Sequence, residues 1–123
     1  MSTVASFISG IPPDSAIGEM RQVQWTLSAG DDGAPVSLAE FTDRSVQFTG
    51  TFGGASVALQ GSNDLTSPTN WFPLTDYQGN DISKSAAALE GIAEPTVWVR
   101  PLVTGGSGTT IVATLAARRS RTR

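Results

Sequence analysis

A chain of 123 residues with 39% hydrophobic and only 15% charged side chains has room for one core, and its thirteen glycines and seven prolines leave little length for helices. It contains neither cysteine nor histidine, which excludes a disulfide frame, thiolate chemistry, and both the usual proton shuttle and the commonest metal ligand near neutral pH. The net charge of −3 is unevenly spread: RRSRTR (118–123) holds four of the eight basic groups, leaving residues 1–117 with four basic against eleven acidic side chains, or −7.

Residues 1–20 show no sustained periodicity and contain Gly10, Pro12, Pro13 and Gly18, so they read as an extended arm. They carry no basic leader and only a broken apolar stretch, which does not read as a signal peptide. RQVQWTLSA (21–29) alternates strictly, with Val23, Trp25 and Leu27 on one face, the signature of a half-buried strand. GDDGAP (30–35) is a turn cluster, followed by a short strand, VSLAEF (36–41). RSVQFTGTF (44–52) alternates again, aiming Val46, Phe48 and Phe52 inward. Gly53-Gly54 then signals a two-residue hairpin into ASVALQ (55–60), because both positions accept a positive φ.

A long polar loop, GSNDLTSPTN (61–70), leads into the strand WFPLTDY (71–77) and the turn QGND (78–81). SKSAAALEG (83–91) suits a helical turn capped by Ser85 and closed by Gly91, with a bent strand as the alternative. TVWVRPLV (96–103) is a strand whose Pro101, lacking a donor, belongs at an edge or a bulge. TGGSG (104–108) reads as a hairpin loop before the closing strand TTIVATLAA (109–117), with Ile111, Ala113 and Leu115 inward. The expected fold is all-β: an antiparallel β-sandwich, a jelly roll of about eight strands over 21–117, with an immunoglobulin-like sandwich as runner-up. The arm 1–20 precedes it and the basic tail 118–123 follows it.

No pattern among these residues points to catalysis. The usual nucleophile–base pairs need His or Cys, and no two of the carboxylates are singled out as an acid–base pair. TGGSGTT lacks the lysine of a phosphate-binding loop and runs into a β-branched strand. Asn63, Asp64, Asp76, Asn80 and Asp81 offer oxygen ligands for calcium, but without the spacing of a calcium loop, and Asp and Asn equally serve turns. No cofactor is expected. Trp25 and Trp98 lie within strands, where core packing is the default; Trp71 either stacks on a ligand or plugs the end of the sandwich, its indole N–H on a loop carbonyl. Asn63, Asp64, Asn70 and Trp71 are the candidate ligand loop of a carbohydrate- or receptor-binding module.

With these strands placed, DRSVQFTGTFGGASVALQGSND, NWFPLTDYQGN and VWVRPLVTGGSGTTIVATLAARR, spanning about residues 43–119, resemble small structural proteins of tailed phages. The chain is most similar to the jelly-roll capsid cement (decoration) proteins of short-tailed phages. That resemblance implies a virion protein without enzymatic activity, made in the host cytoplasm and bound to the outer surface of the head, where it clamps neighbouring major capsid subunits. A homodimer is expected, with a trimer as the alternative, and neither a membrane nor nucleic acid as a direct partner. Phe7, Ile8, Ile11 and Ile17 of the arm, and Arg118, Arg119, Arg121 and Arg123 of the tail, are the candidate partner-binding residues.

Overall fold

Alternation of apolar and polar side chains builds both layers of the protein, because only one face of each strand is buried. The computed structural model describes residues 3–4 and 20–119 and the backbone of 7–9. In chain order the strands are β1 (Thr3–Val4), β2 (Phe7–Ser9), β3 (Met20–Leu27), β4 (Asp32–Gly33), β5 (Val36–Ser37), β6 (Asp43–Thr51), β7 (Ser56–Ser62), β8 (Phe72–Pro73), β9 (Ser83–Lys84), β10 (Ala88–Ile92), β11 (Trp98–Thr104) and β12 (Thr110–Arg118). One sheet runs β1-β4-β11-β7-β8, with β5 also on β11 and β9 also on β7; the other runs β10-β6-β12-β3-β2. We call them sheets I and II. Among the described residues there is no helix.

The pairing is that of a jelly roll. The first long strand, β3, lies beside the last, β12; β4 and β5 lie on β11; β6 on β10; and β7 on β8 and β9. The chain is thus a ribbon doubled over and wrapped, the outer members pairing first with last. Every ladder is antiparallel except the short parallel match of β1 with β4. Val23, Trp25, Leu27, Val46, Phe48, Ile111, Ala113 and Leu115 of sheet II are fully buried against Val57, Leu59, Val99 and Val103 of sheet I. Phe52, expected in the core, is half-buried at its margin.

Both expected hairpins prove to be corners. Gly53 and Gly54 do take positive φ, of 58° and 83°, and Ala55 N–H closes the turn on Phe52 O at 2.9 Å. Yet β6 belongs to sheet II and β7 to sheet I, so the turn carries the chain between layers instead of pairing its flanking strands. The same holds for residues 105–109, between β11 and β12. Turn chemistry specifies a reversal of direction, not which strand the chain meets afterwards. The two corners brace each other: Ser107 N–H donates to Gly53 O at 3.0 Å, and Thr109 Oγ1 to Phe52 O at 2.9 Å.

Three further segments depart from expectation. Part of the arm is woven into the sandwich: Thr3 and Val4 align with Asp32 and Gly33, and Phe7, Ile8 and Ser9 with Gln24, Val23 and Gln22. Both ladders cover strand edges that would otherwise stand unpaired, which needs backbone and no periodicity. Ile11 and Ile17 lie outside the described residues, as do Arg121 and Arg123. The 83–91 segment is the bent strand, β9 in sheet I and β10 in sheet II, with no helical turn. Arg118, assigned to the tail, is the last residue of β12, aligned with Met20 and Asp43.

Pro101 sits in β11, a central strand, but at an interruption. Val103 N–H donates toward β4, to Asp31 O at 2.8 Å. Residues two apart point the same way, so the missing Pro101 donor faces the gap between the short partners β4 and β5. The proline ring fills that gap against Gly33, where an added Cβ would stand 2.5 Å from Pro101 Cδ and 2.7 Å from Trp25 Cδ1. Trp25 is fully buried there and donates its indole N–H to Ala34 O at 3.0 Å.

Arg44 closes the other end of the core. Only 2% exposed, it donates from Nε to Phe41 O at 2.6 Å and from Nη2 to Leu38 O at 2.7 Å and Thr96 O at 2.5 Å. Nη1 is buried without a hydrogen-bond partner. Burial pulls the guanidinium down to about 10, so it still carries its charge at neutral pH, balanced by carbonyl dipoles instead of a carboxylate.

A Gly33→Ala variant is expected to lose about 1–3 kcal/mol of stability, the usual cost of forcing a methyl into a filled core. Urea denaturation measures it; an unchanged midpoint would mean that the Pro101–Trp25 contact relaxes without cost.

Candidate functional site

The outer face of sheet I is organised by Arg100. Alternation along β11 sends Val99, Pro101 and Val103 into the core and Trp98, Arg100 and Leu102 outward. Arg100 Nε donates to Gln60 Oε1 at 2.9 Å, and Nη1 lies 3.3 Å from Asp32 Oδ2. Asp32 Oδ1 accepts from Thr3 Oγ1 at 2.7 Å, so the same carboxylate ties β1 to the sheet. Burial pulls the Arg100 guanidinium down, opposed by the charge of Asp32. The Trp71 ring lies over this guanidinium, its centroid 4.2 Å from Cζ. Trp71 therefore does not plug the sandwich: it lies outside the core cluster, against an outward-facing cation. Trp98 is half-buried rather than a core residue, and its indole N–H is the one that grips the loop, at Asp64 O, 2.9 Å away.

The candidate ligand loop holds its own shape with the groups proposed for binding. Asp64 Oδ2 accepts from the backbone N–H of Thr69 at 2.7 Å and of Asn70 at 2.9 Å, and Asn70 Nδ2 reaches Asp64 Oδ1 at 3.2 Å. Asn63 Oδ1 accepts from Val97 N–H at 3.0 Å, anchoring the loop to the segment that leads into β11. The structure thus brings Asn63, Asp64, Asn70 and Trp71 together, but as a scaffold whose polar atoms face one another. The loop's one large apolar side chain, Leu65, stands 92% exposed, and Asn63, Thr66, Ser67, Thr69 and Asn70 are exposed as well. Asp76 behaves likewise, its Oδ1 accepting from Gln78 and Asn80 N–H at 2.8 and 3.0 Å. Among the described residues, no group of three or more His, Cys, Asp or Glu could hold a metal ion.

The outer face of sheet II is different in kind. In register across β6, β12 and β3 lie Thr49, Val112 and Thr26; then Gln47, Thr114 and Gln24; then Ser45, Ala116 and Gln22. Thr51 and Thr110 extend it at one end, while Asp43 and Arg118 bring the first charges at the other. Between those ends this face of the three strands presents no charged side chain. Gln24 Nε2 donates to Thr114 Oγ1 at 3.1 Å; most of the remaining amides and hydroxyls face outward and exposed.

Among the basic residues of the tail, Arg118 is exposed and Arg119 is folded back on its own chain, 2.9 Å from Glu40 and 5.8 Å above the Phe41 ring, which Arg21 also approaches at 5.1 Å. So exposed an ion pair contributes at most about 1 kcal/mol. Phe7 and Ile8 have the backbone placement in β2 given above. Sequence reasoning passed over Arg100, Asp32 and Gln60; the alternation of TVWVRPLV placed Arg100 outward, but its partners come from distant strands.

No protein-family model matches this chain, and no curated protein matches it in sequence. Among solved structures it is similar to a cupin domain from Bordetella pertussis Tohama I, with 12% identity and a TM-score of 0.43, covering 98% of this chain and 99% of that one. It is also similar to the cupin domain of Schizosaccharomyces pombe Cnp3 (7% identity, TM-score 0.44, 94% of this chain and 61% of that one). KdgF from Halomonas sp. is a third, at 13% identity and a TM-score of 0.39, covering 94% of this chain and 81% of that one. The jelly-roll assignment itself rests on the strand pairing.

The backbone N–H groups of Asn70 and Thr69, with the Asn70 amide, hold the Asp64 carboxyl down to about 2. A depressed carboxylate stabilises the loop above its unfolded value near 3.8, and the contribution is lost as pH falls through about 2. Carboxyl-resolved NMR titration is expected to find this low midpoint, and Asp64→Ala to loosen the loop at neutral pH, seen as faster amide exchange at Thr69 and Asn70. A midpoint near 4 would mean that the loop does not hold this geometry in solution.

Proposed function

We propose that this protein is a non-catalytic virion structural protein, a cement protein that docks on the outer surface of a phage head and bridges neighbouring major capsid subunits. The observation that carries the reading is the uncharged face of sheet II. Interface centres are depleted of charge, because a buried unpaired charge costs far more than an amide or hydroxyl that finds a partner. An acidic protein that nonetheless keeps the β6-β12-β3 centre of one sheet face free of charge has a surface suited to being covered. Rows of Thr and Gln offer both donors and acceptors to a partner's polar groups, on a rigid ladder that loses little freedom on docking.

The resemblance of residues 43–119 to decoration proteins names the partner, the major capsid protein, and the site of action, the capsid exterior. The arm and tail supply secondary contacts: Arg118 borders the uncharged face, and Arg119 is released from Glu40 at little cost. A receptor- or glycan-binding role would require Asp64, Asn70 and Trp71 to face a ligand, whereas they are engaged with the loop and with Arg100.

The test is co-sedimentation of the purified full-length protein with phage heads lacking it. Wild-type protein is expected to bind at a fixed ratio to the shell, and a Gln47→Glu/Thr49→Lys variant, folded but charged on the face, to bind at least about tenfold more weakly, a loss of about 1.4 kcal/mol. Equal binding by the variant would remove the face from the reading, and no binding by the wild type would overturn the capsid role.

A further inference from the structure

Sheet II ends on one side at β10, whose far edge has no strand beside it among the described residues. Ala93 N–H points away from β6, donating to Thr75 O at 2.9 Å. By the two-residue repeat of a strand, the backbone groups of Leu89 and Gly91 point the same way. Neither has a backbone partner on that edge among the described residues. Natural edges are blunted by proline, by charges or by a bulge; ALEGI has neither proline nor bulge, and its one charge, the inward Glu90, is neutralised by Lys84 at 2.8 Å.

The side chains beside this edge are equally unfinished. Leu89 is 67% exposed and Tyr77 68% exposed, two of the four large apolar side chains left in solvent among the described residues. Tyr77 lies directly over Gly91, where an added Cβ would come within 2.2 Å of its ring. Gly91 thus lets the Tyr77 ring lie flat on the outer face of β10, and Leu89 is a knob on the same face two residues back along the strand.

From this we infer that β10 pairs antiparallel with β10 of a second copy, about a two-fold axis at Glu90, joining the two sheets II into one. In that register Leu89 of each copy falls opposite Gly91 of the other, and both positions have edge-directed backbone groups, so the two residues exchange both ladder hydrogen bonds. Each leucine packs on the Tyr77 ring that lies over the other copy's Gly91. One symmetry operation satisfies the free edge and covers both exposed side chains, as an isologous interface must. The two Glu90 residues meet as Lys84 ion pairs, not as bare carboxylates. Ala93, already bonded to Thr75, limits the ladder to its centre. The inference does not depend on the capsid reading and uses a different surface from the docking face.

Sedimentation velocity of the full-length protein across a dilution series tests it, together with site-resolved amide exchange. The expected result is a monomer–dimer equilibrium in which the Leu89 and Gly91 amides are protected in the dimer and exchange freely on dilution. Leu89→Lys is expected to weaken association at least about a hundredfold with an unchanged thermal midpoint, because symmetry removes the contact twice. Tyr77→Ala, a change at an exposed position, is expected to weaken it in the same direction. A monomer at every concentration, a dimer indifferent to both variants, or exchange at residues 89 and 91 that ignores dilution would each overturn the inference.

Discussion

The ladder between β3 and β12 is the constraint on which the rest of the fold depends. It runs unbroken from Met20–Arg118 to Leu27–Ile111 and joins residues as much as 98 apart in the chain. Once the first long strand lies beside the last, everything between them must fold back in nested pairs, and the jelly-roll order follows. Closing so long a loop costs entropy before any contact rewards it, which makes this a high-contact-order, slow-folding topology. The reward comes from β12 being paired on both sides, with β6 as well as β3, while it buries Ile111, Ala113, Leu115 and Ala117.

Two devices close the ends of this wrapped ribbon. At one end, the glycine corners at 52–55 and 105–109 lean on each other through Ser107 and Thr109. At the other, Arg44 reaches inward from β6 and gathers three carbonyls, those of Leu38, Phe41 and Thr96. A buried guanidinium is costly unless its donors find acceptors. Here the acceptors belong to loops with no ladder of their own, so one cation satisfies carbonyls at several loop positions and fixes the loops around it.

The two outer faces then divide the chemistry. On sheet I, Arg100 gathers Trp71, Asp32 and Gln60, Trp98 holds the 63–70 loop at Asp64, and Asp64 and Asn70 engage their polar atoms in the loop's own shape. On sheet II, the same alternation that fills the core leaves rows of Thr and Gln with no charge among them. Such a face contributes nothing obvious to folding, and an acidic chain has no shortage of carboxylates to place there. Its neutrality is the observation on which the proposed docking role rests.

Much of this was legible in the sequence. The period-2 runs of RQVQWTLSA, RSVQFTGTF and TTIVATLAA fixed which side chains face the core, and the glycine pair at 53–54 fixed a turn, because these depend only on neighbours along the chain. Local chemistry could not decide which strand each turn delivers its chain to, so two corners read as hairpins. Nor could it show that residues 3–4 and 7–9 complete sheet edges, that Asp64 and Asn70 turn toward each other, or that Tyr77 roofs Gly91. Each of those needs a partner supplied from elsewhere in the chain, and such partners exist only once long-range pairing has set the register. The sequence by itself determined strands, faces and turns; the tertiary structure decided neighbours, because hydrogen-bond ladders are indifferent to which side chains they carry, and only the joint burial of both sheets selects among them.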